Sequence, residues 1–142
     1  MTQTNKKSIS DWTVIILGSI GMLLGLSTLF FPEAQYKILG LETDSVGTVI
    51  PGLMGSAGLS ATYMGLMYIF GTFQKWKYFK YYLVFARLLM ATGFLILLAI
   101  GRAPESYVSA AIWEAAGATL IGISIWWERR KMNQLIKTTA TQ

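Results

Sequence analysis

Neither cysteine nor histidine occurs in the 142 residues. Their absence excludes disulfides, thiolate and imidazole metal ligands, histidine-ligated haem, and every Cys/His or Ser/His catalytic pair. Acids are scarce as well, seven in all, which supplies a carboxylate-only metal site poorly; no metal and no other cofactor is expected. Charged residues make up 13% of the chain, about half the share of an ordinary soluble domain. What the chain has in abundance is apolar surface: 54% of its residues, within the length of one domain, 1–142. A soluble protein this small could not hide so much, because its ratio of surface to volume is too high. In a lipid solvent the difficulty disappears.

The apolar residues fall into runs of membrane-crossing length. Trp12 to Pro32 is uncharged for 21 residues, enough to cross roughly 30 Å of hydrocarbon at about 1.5 Å per residue. A second run, Ser45 to Gln74, holds a helix over 47–71. The third, Tyr81 to Gly101, is broken only by Arg87, and the fourth, Ser106 to Trp127, only by Glu114. The spans are therefore set at about 12–31, 47–71, 80–101 and 106–127, with tails 1–11 and 128–142. Short connections make consecutive helices antiparallel. The expected fold is all-α: an integral membrane four-helix bundle, up-down-up-down. The first span has no small-x-small cleavage site after it and exceeds a signal-peptide core, so it is expected to be retained. Pro32 suits the first position of a helix, Glu33 its positive end and Gly40 its C-terminal cap. A short interfacial helix is thus expected over Pro32–Leu39.

Charge sets the orientation. Lys6, Lys7, Lys75, Lys77, Lys80, Arg129, Arg130, Lys131 and Lys137 share one side, whereas Lys37 and Arg102 lie on the other with Glu33, Glu42, Asp44 and Glu105. The expectation is a multi-pass protein of the plasma (inner) membrane, N-in and C-in. The net charge of +5 then records topology, and nucleic acid is not an expected partner. Anionic lipid headgroups could meet the Lys75–Lys80 loop or the tail. Trp76, Tyr78, Tyr81, Tyr82, Trp126 and Trp127 mark the inner interface; Tyr36 and Tyr107 lie near the outer one.

Small residues recur in helical register: Gly21 and Gly25 as a GxxxG, Ala57, Ala61 and Gly65, then Ala110, Ala118 and Gly122 on a ridge with Glu114. The bland reading is packing within the chain; the other is a homo-oligomer or docking to a larger membrane complex. Arg87 and Glu114 are the ionisable residues inside spans, and either is costly if it faces lipid unpaired. Arg87 lies about 10 Å from the inner side and Glu114 about 17 Å. An axial gap of about 7 Å is within reach of two long side chains on adjacent antiparallel helices. A contact is predicted. It reads either as a structural pin or as the lining of a ligand cavity. Ser56, Ser60 and Tyr63 form a second polar stripe on the second span. The hydroxyls either bond back to their own helix or face Glu114 and complete a binding cavity.

The stretch Leu29-Phe30-Phe31-Pro32-Glu33 through Leu39-Gly40-Leu41, then a Gly/Ala-rich span with Tyr63 and Gly65, resembles the DoxX-like families of small four-helix bacterial membrane proteins. Those open with a glycine-rich span, a Phe-x-Pro turn and a leucine-glycine loop. Where they often carry an Arg-Ala pair near the start of the second span, this chain has Pro51-Gly52-Leu53. The resemblance implies the four-helix fold and little chemistry.

With no nucleophile–base pair in the sequence, no catalytic residue is assigned. The leading expectation is a non-enzymatic accessory subunit or a component that binds lipid or another apolar ligand, through Arg87, Glu114, Ser56, Ser60 and Tyr63. The alternative is a membrane enzyme or proton-coupled carrier for an apolar substrate, with Glu114 transferring the proton and Arg87 tuning it.

Overall fold

A computed structural model of the chain describes residues 7–39 and 49–139, and among these the regular structure is α-helix without strands. In chain order the helices are α1 (Ile9–Phe30), α2 (Pro32–Leu39), α3 (Val49–Phe73), α4 (Phe79–Ala99) and α5 (Tyr107–Thr139). Four of them, α1, α3, α4 and α5, are long and apolar enough to cross a membrane. The short helix expected after the first span is α2; Gly40, its expected cap, lies outside the described residues.

The helix ends have local causes. α1 starts at Ile9 because Ser8 and Asp11 form a capping box. The Asp11 amide donates to Ser8 Oγ at 3.2 Å and the Ser8 amide to Asp11 Oδ2 at 2.9 Å. At the other end of the chain, residues 128–139, the tail beyond the fourth span in the sequence, are helical and continue α5. No glycine or proline follows Trp127 to stop the helix, and Arg, Lys, Met and Gln sustain it. α3 and α4 both stop in the same way. Trp76 donates back to the Gly71 carbonyl and Lys75 to that of Thr72; Arg102 donates to Leu97 and Gly101 to Leu98. Each is a Schellman turn, which requires a left-handed residue just past the helix. Gly101 supplies it with φ 67°, but at the end of α3 the residue is Lys75, with φ 52°.

α1 packs most extensively on α3, and α4 on α5; the two pairs meet chiefly along α1 and α5 and touch sparsely between α3 and α4. Contacts between α1 and α3 run in opposite chain directions: Gly18 meets Gly65 and Tyr68, and Gly25 meets Gly58 and Thr62. The same sense holds for α4 and α5, where Arg87 meets Gly117 and Phe94 meets Tyr107. The glycine pairs let the α1 and α3 backbones approach closely. Gly21 of the GxxxG takes no part, since nothing lies within 4 Å of where its Cβ would be. The buried apolar cluster sits where the four long helices converge: Val14 and Leu17 of α1, Tyr68 of α3, Phe79 and Leu83 of α4, Ile121 and Ile125 of α5.

Candidate functional site

Arg87 of α4 stands at the junction of three helices. Its Nη1 donates to Glu114 Oε2 of α5 at 3.2 Å, and only 5% of the residue is exposed. The guanidinium carbon lies 5.3 Å from the Tyr68 ring centroid on α3 and 5.9 Å from that of Trp113 on α5. Such cation–π contacts gain strength in a site removed from water. Gly117, one helical turn beyond Trp113, makes room for the group: a Cβ there would sit 2.7 Å from Cζ. Two features remain open. Arg87 Nε is buried without a hydrogen-bond partner, and the Glu114 side chain keeps 20% of its exposure.

The structure does not bring the rest of the expected binding set to this point. Ser56 Oγ donates to the Gly52 carbonyl and Ser60 Oγ to that of Ser56, each at 2.9 Å, so both hydroxyls are satisfied within α3. Both serines are exposed, and Tyr63 is 64% exposed. Glu114 meets Arg87 instead, and the guanidinium is surrounded by Tyr68, Trp113 and Gly117. Trp113 and Gly117 flank Glu114 on α5, so their spacing was visible, but nothing local marks Tyr68.

A second polar cluster ties the start of α1 to α4 and α5. Glu128 accepts from the Ser10 amide through Oε1 at 2.6 Å and from Ser10 Oγ through Oε2 at 2.8 Å. Lys80 pairs with Asp11 Oδ1 at 2.6 Å and donates to Ser8 Oγ at 3.0 Å and to Ser10 Oγ. Asp11 and Glu128 are thus both engaged at the start of α1. One turn further on, Thr13 Oγ1 and Ser124 Oγ lie 2.9 Å apart. Ser10 is fully buried, so its amide depends on Glu128. Glu128→Ala should cost about 2 kcal/mol, the scale of a hydrogen bond to a charged group with its buried donor left unpaired. Thermal unfolding in detergent checks this, with Glu105→Ala at an exposed position as the comparison; equal midpoints for the two would rule the cap out.

Beside this cluster the α3–α4 turn encloses a cleft of about 310 Å³. Buried Gly71, Thr72 and Phe79 line it together with exposed Trp76, Tyr78 and Tyr81, and its charged lining is Asp11, Lys75 and Lys80. Phe79 meets Trp76 edge-on at 5.4 Å between centroids. More cations rest on rings nearby: Lys7 Nζ is 3.3 Å from the Phe73 centroid, and Arg129 Cζ is 5.2 Å from that of Tyr81. Tyr78 caps α4 in the left-handed region without a side-chain hydrogen bond to the first turn. Among the described residues, no group of three or more acids stands close enough to hold a metal. No protein-family model matches the chain, and no curated protein and no solved structure matches it.

Proposed function

We propose that the chain crosses the membrane four times, up-down-up-down, with both ends on the cytoplasmic side, and that it is a non-enzymatic component associating with lipid, with a larger membrane complex or with a second copy. The observation that carries this reading is how the buried charge is used. Arg87 and Glu114 neutralise each other, and the guanidinium is hemmed in by Tyr68, Trp113 and Gly117. The pair joins helices rather than facing a substrate. Around it the outward faces are apolar: Leu23, Leu53, Phe85, Leu89 and Ile112 are each about 60% exposed, a surface that suits hydrocarbon and not water.

The orientation is supported by Lys7, Lys75, Lys77, Lys80, Arg129 and Arg130 lying around the end where α1 begins and α3 turns into α4. A DoxX-like relationship belongs to the same proposal and adds only the four-helix plan. Because the chain has no cysteine, single replacements report sidedness without background. In intact cells Lys77→Cys should be shielded from a membrane-impermeant maleimide and Glu105→Cys should be labelled. The reverse pattern would overturn the orientation, and equal labelling of both the membrane reading itself.

A second reading is favoured by the unpartnered Nε of Arg87 and the residual exposure of Glu114. In it the pair meets the polar head of an apolar substrate, such as an isoprenoid or a quinone, and Glu114 exchanges the proton. A folded Arg87→Met/Glu114→Met variant that keeps every phenotype of the parent excludes this.

A further inference from the structure

We propose that the cleft at the α3–α4 turn binds the phosphate headgroup of an anionic phospholipid from the cytoplasmic leaflet. This rests on the orientation proposed above, and it names a ligand class for the lipid-associated reading. The cleft is the right size for a headgroup, and its charged lining is two lysines against one aspartate. Trp76, Tyr78 and Tyr81 put amphipathic rings at the same level, where such rings settle in a bilayer. The first turn of α4, which has no side-chain cap, adds partial positive charge on the same side.

Two features favour a lipid over a soluble phosphate. α3 and α4 share few contacts, meeting through Tyr68 with Phe79 and Arg87, so an acyl chain leading away from the cleft would lie along their outward faces. Both helices carry exposed aromatic side chains close in sequence to the cleft residues, Phe70 and Phe73 on α3, Tyr82 and Phe85 on α4. The backbone points the same way. The slot that ends α4 is filled by Gly101, whereas the equivalent slot ending α3 holds Lys75 in the left-handed region. A residue with a Cβ is disfavoured there, so glycine would make the better turn. Lysine instead sets a cation on the cleft, and with Tyr78 also left-handed in the same turn, the strain retained there is a lead to function.

The test uses the full chain in neutral detergent, titrated with short-chain phosphatidylglycerol, short-chain phosphatidylcholine or inorganic phosphate, and read by native mass spectrometry and thermal unfolding. Phosphatidylglycerol should stay bound and raise the midpoint, and the other two should not. Lys75→Gly should unfold at the same temperature or higher yet bind phosphatidylglycerol about fivefold more weakly, the scale of one lysine at an anionic surface. Lys131→Gln, which removes a charge outside the cleft, should bind as the parent does. If Lys75→Gly and Lys131→Gln weaken binding equally, the attraction is diffuse surface charge and the site is refuted. Equal stabilisation by inorganic phosphate overturns the lipid assignment. Loss of phosphatidylglycerol binding with correct maleimide sidedness refutes the site alone; reversed sidedness refutes the reading beneath it.

Discussion

Glu114→Gln should bring the protein close to unfolding, and removing Arg87 as well should restore most of what is lost. A guanidinium cannot shed its charge, so the single change leaves a buried cation with only aromatic rings for company. Breaking a buried pair from one side costs about 3–5 kcal/mol, a large part of the whole stability of a domain this size. Arg87→Met should cost less. The carboxylate left behind retains some exposure and can take up a proton. The double variant Arg87→Met/Glu114→Met should approach the parent, because apolar replacement of a buried pair is often neutral. The charge-reversed double variant should recover only in part. An arginine at 114 would have neither the space at Gly117 nor the place between Tyr68 and Trp113 that the one at 87 has. Thermal unfolding in one detergent ranks the four. If Glu114→Gln is as stable as the parent, the pair does not hold the helices together.

That contact was legible in the sequence because charge inside a span is costly, and only two residues there carried it. Their depths followed from the rise of a helix. The long helices were legible for a similar reason: an uncharged apolar run long enough to cross a bilayer marks a helix, whatever its neighbours. The short helix α2 could be read from Pro32 and Glu33. What escaped depended on partners far along the chain. Ser10 and Glu128 are 118 residues apart, and nothing near either one points to the other. A hint was present nonetheless, since Asp11 and Glu128 are the two acids on the side that carries most of the lysine and arginine, and both are engaged at the start of α1. The Ser56–Ser60–Tyr63 stripe was ambiguous for a physical reason. A hydroxyl can be satisfied by its own helix, so its spacing says nothing about what it faces. That α5 continues to Thr139 was not legible from charge, because a run of Arg, Lys, Met and Gln sustains a helix as well as an apolar one does.

Gly58→Val and Gly65→Val should each separate α1 from α3, while Gly21→Val and Gly52→Val should be tolerated. All four glycines lie in apolar helices, and their surroundings, not their spacing, distinguish them. A Cβ at Gly65 would fall 2.5 Å from the Gly18 carbonyl oxygen and 2.7 Å from the Met22 amide nitrogen. One at Gly58 would fall 2.7 Å from the Gly25 carbonyl oxygen and 2.8 Å from the Leu29 nitrogen. These are backbone atoms, which no change of rotamer can move aside, so the helices must part. Overpacking of this kind costs about 1–3 kcal/mol and sometimes more. Parting α1 from α3 also disturbs the cluster around Val14, Leu17 and Tyr68, so the upper end is expected. At Gly21 and Gly52 nothing lies within 4 Å, and the midpoint of unfolding should change little. The contacts pair Gly18 with Gly65 and Gly25 with Gly58, a spacing of seven on each helix run in opposite senses. Seven residues are close to two turns, which keeps both contacts on one face of each helix. The Gly21–Gly25 spacing of four, read alone, marks a different face. If Gly21→Val proved as damaging as Gly65→Val in the membrane but harmless in detergent-dispersed monomer, that face would be engaged by another chain, and the pairing of α1 with α3 would be only half of what its glycines are for.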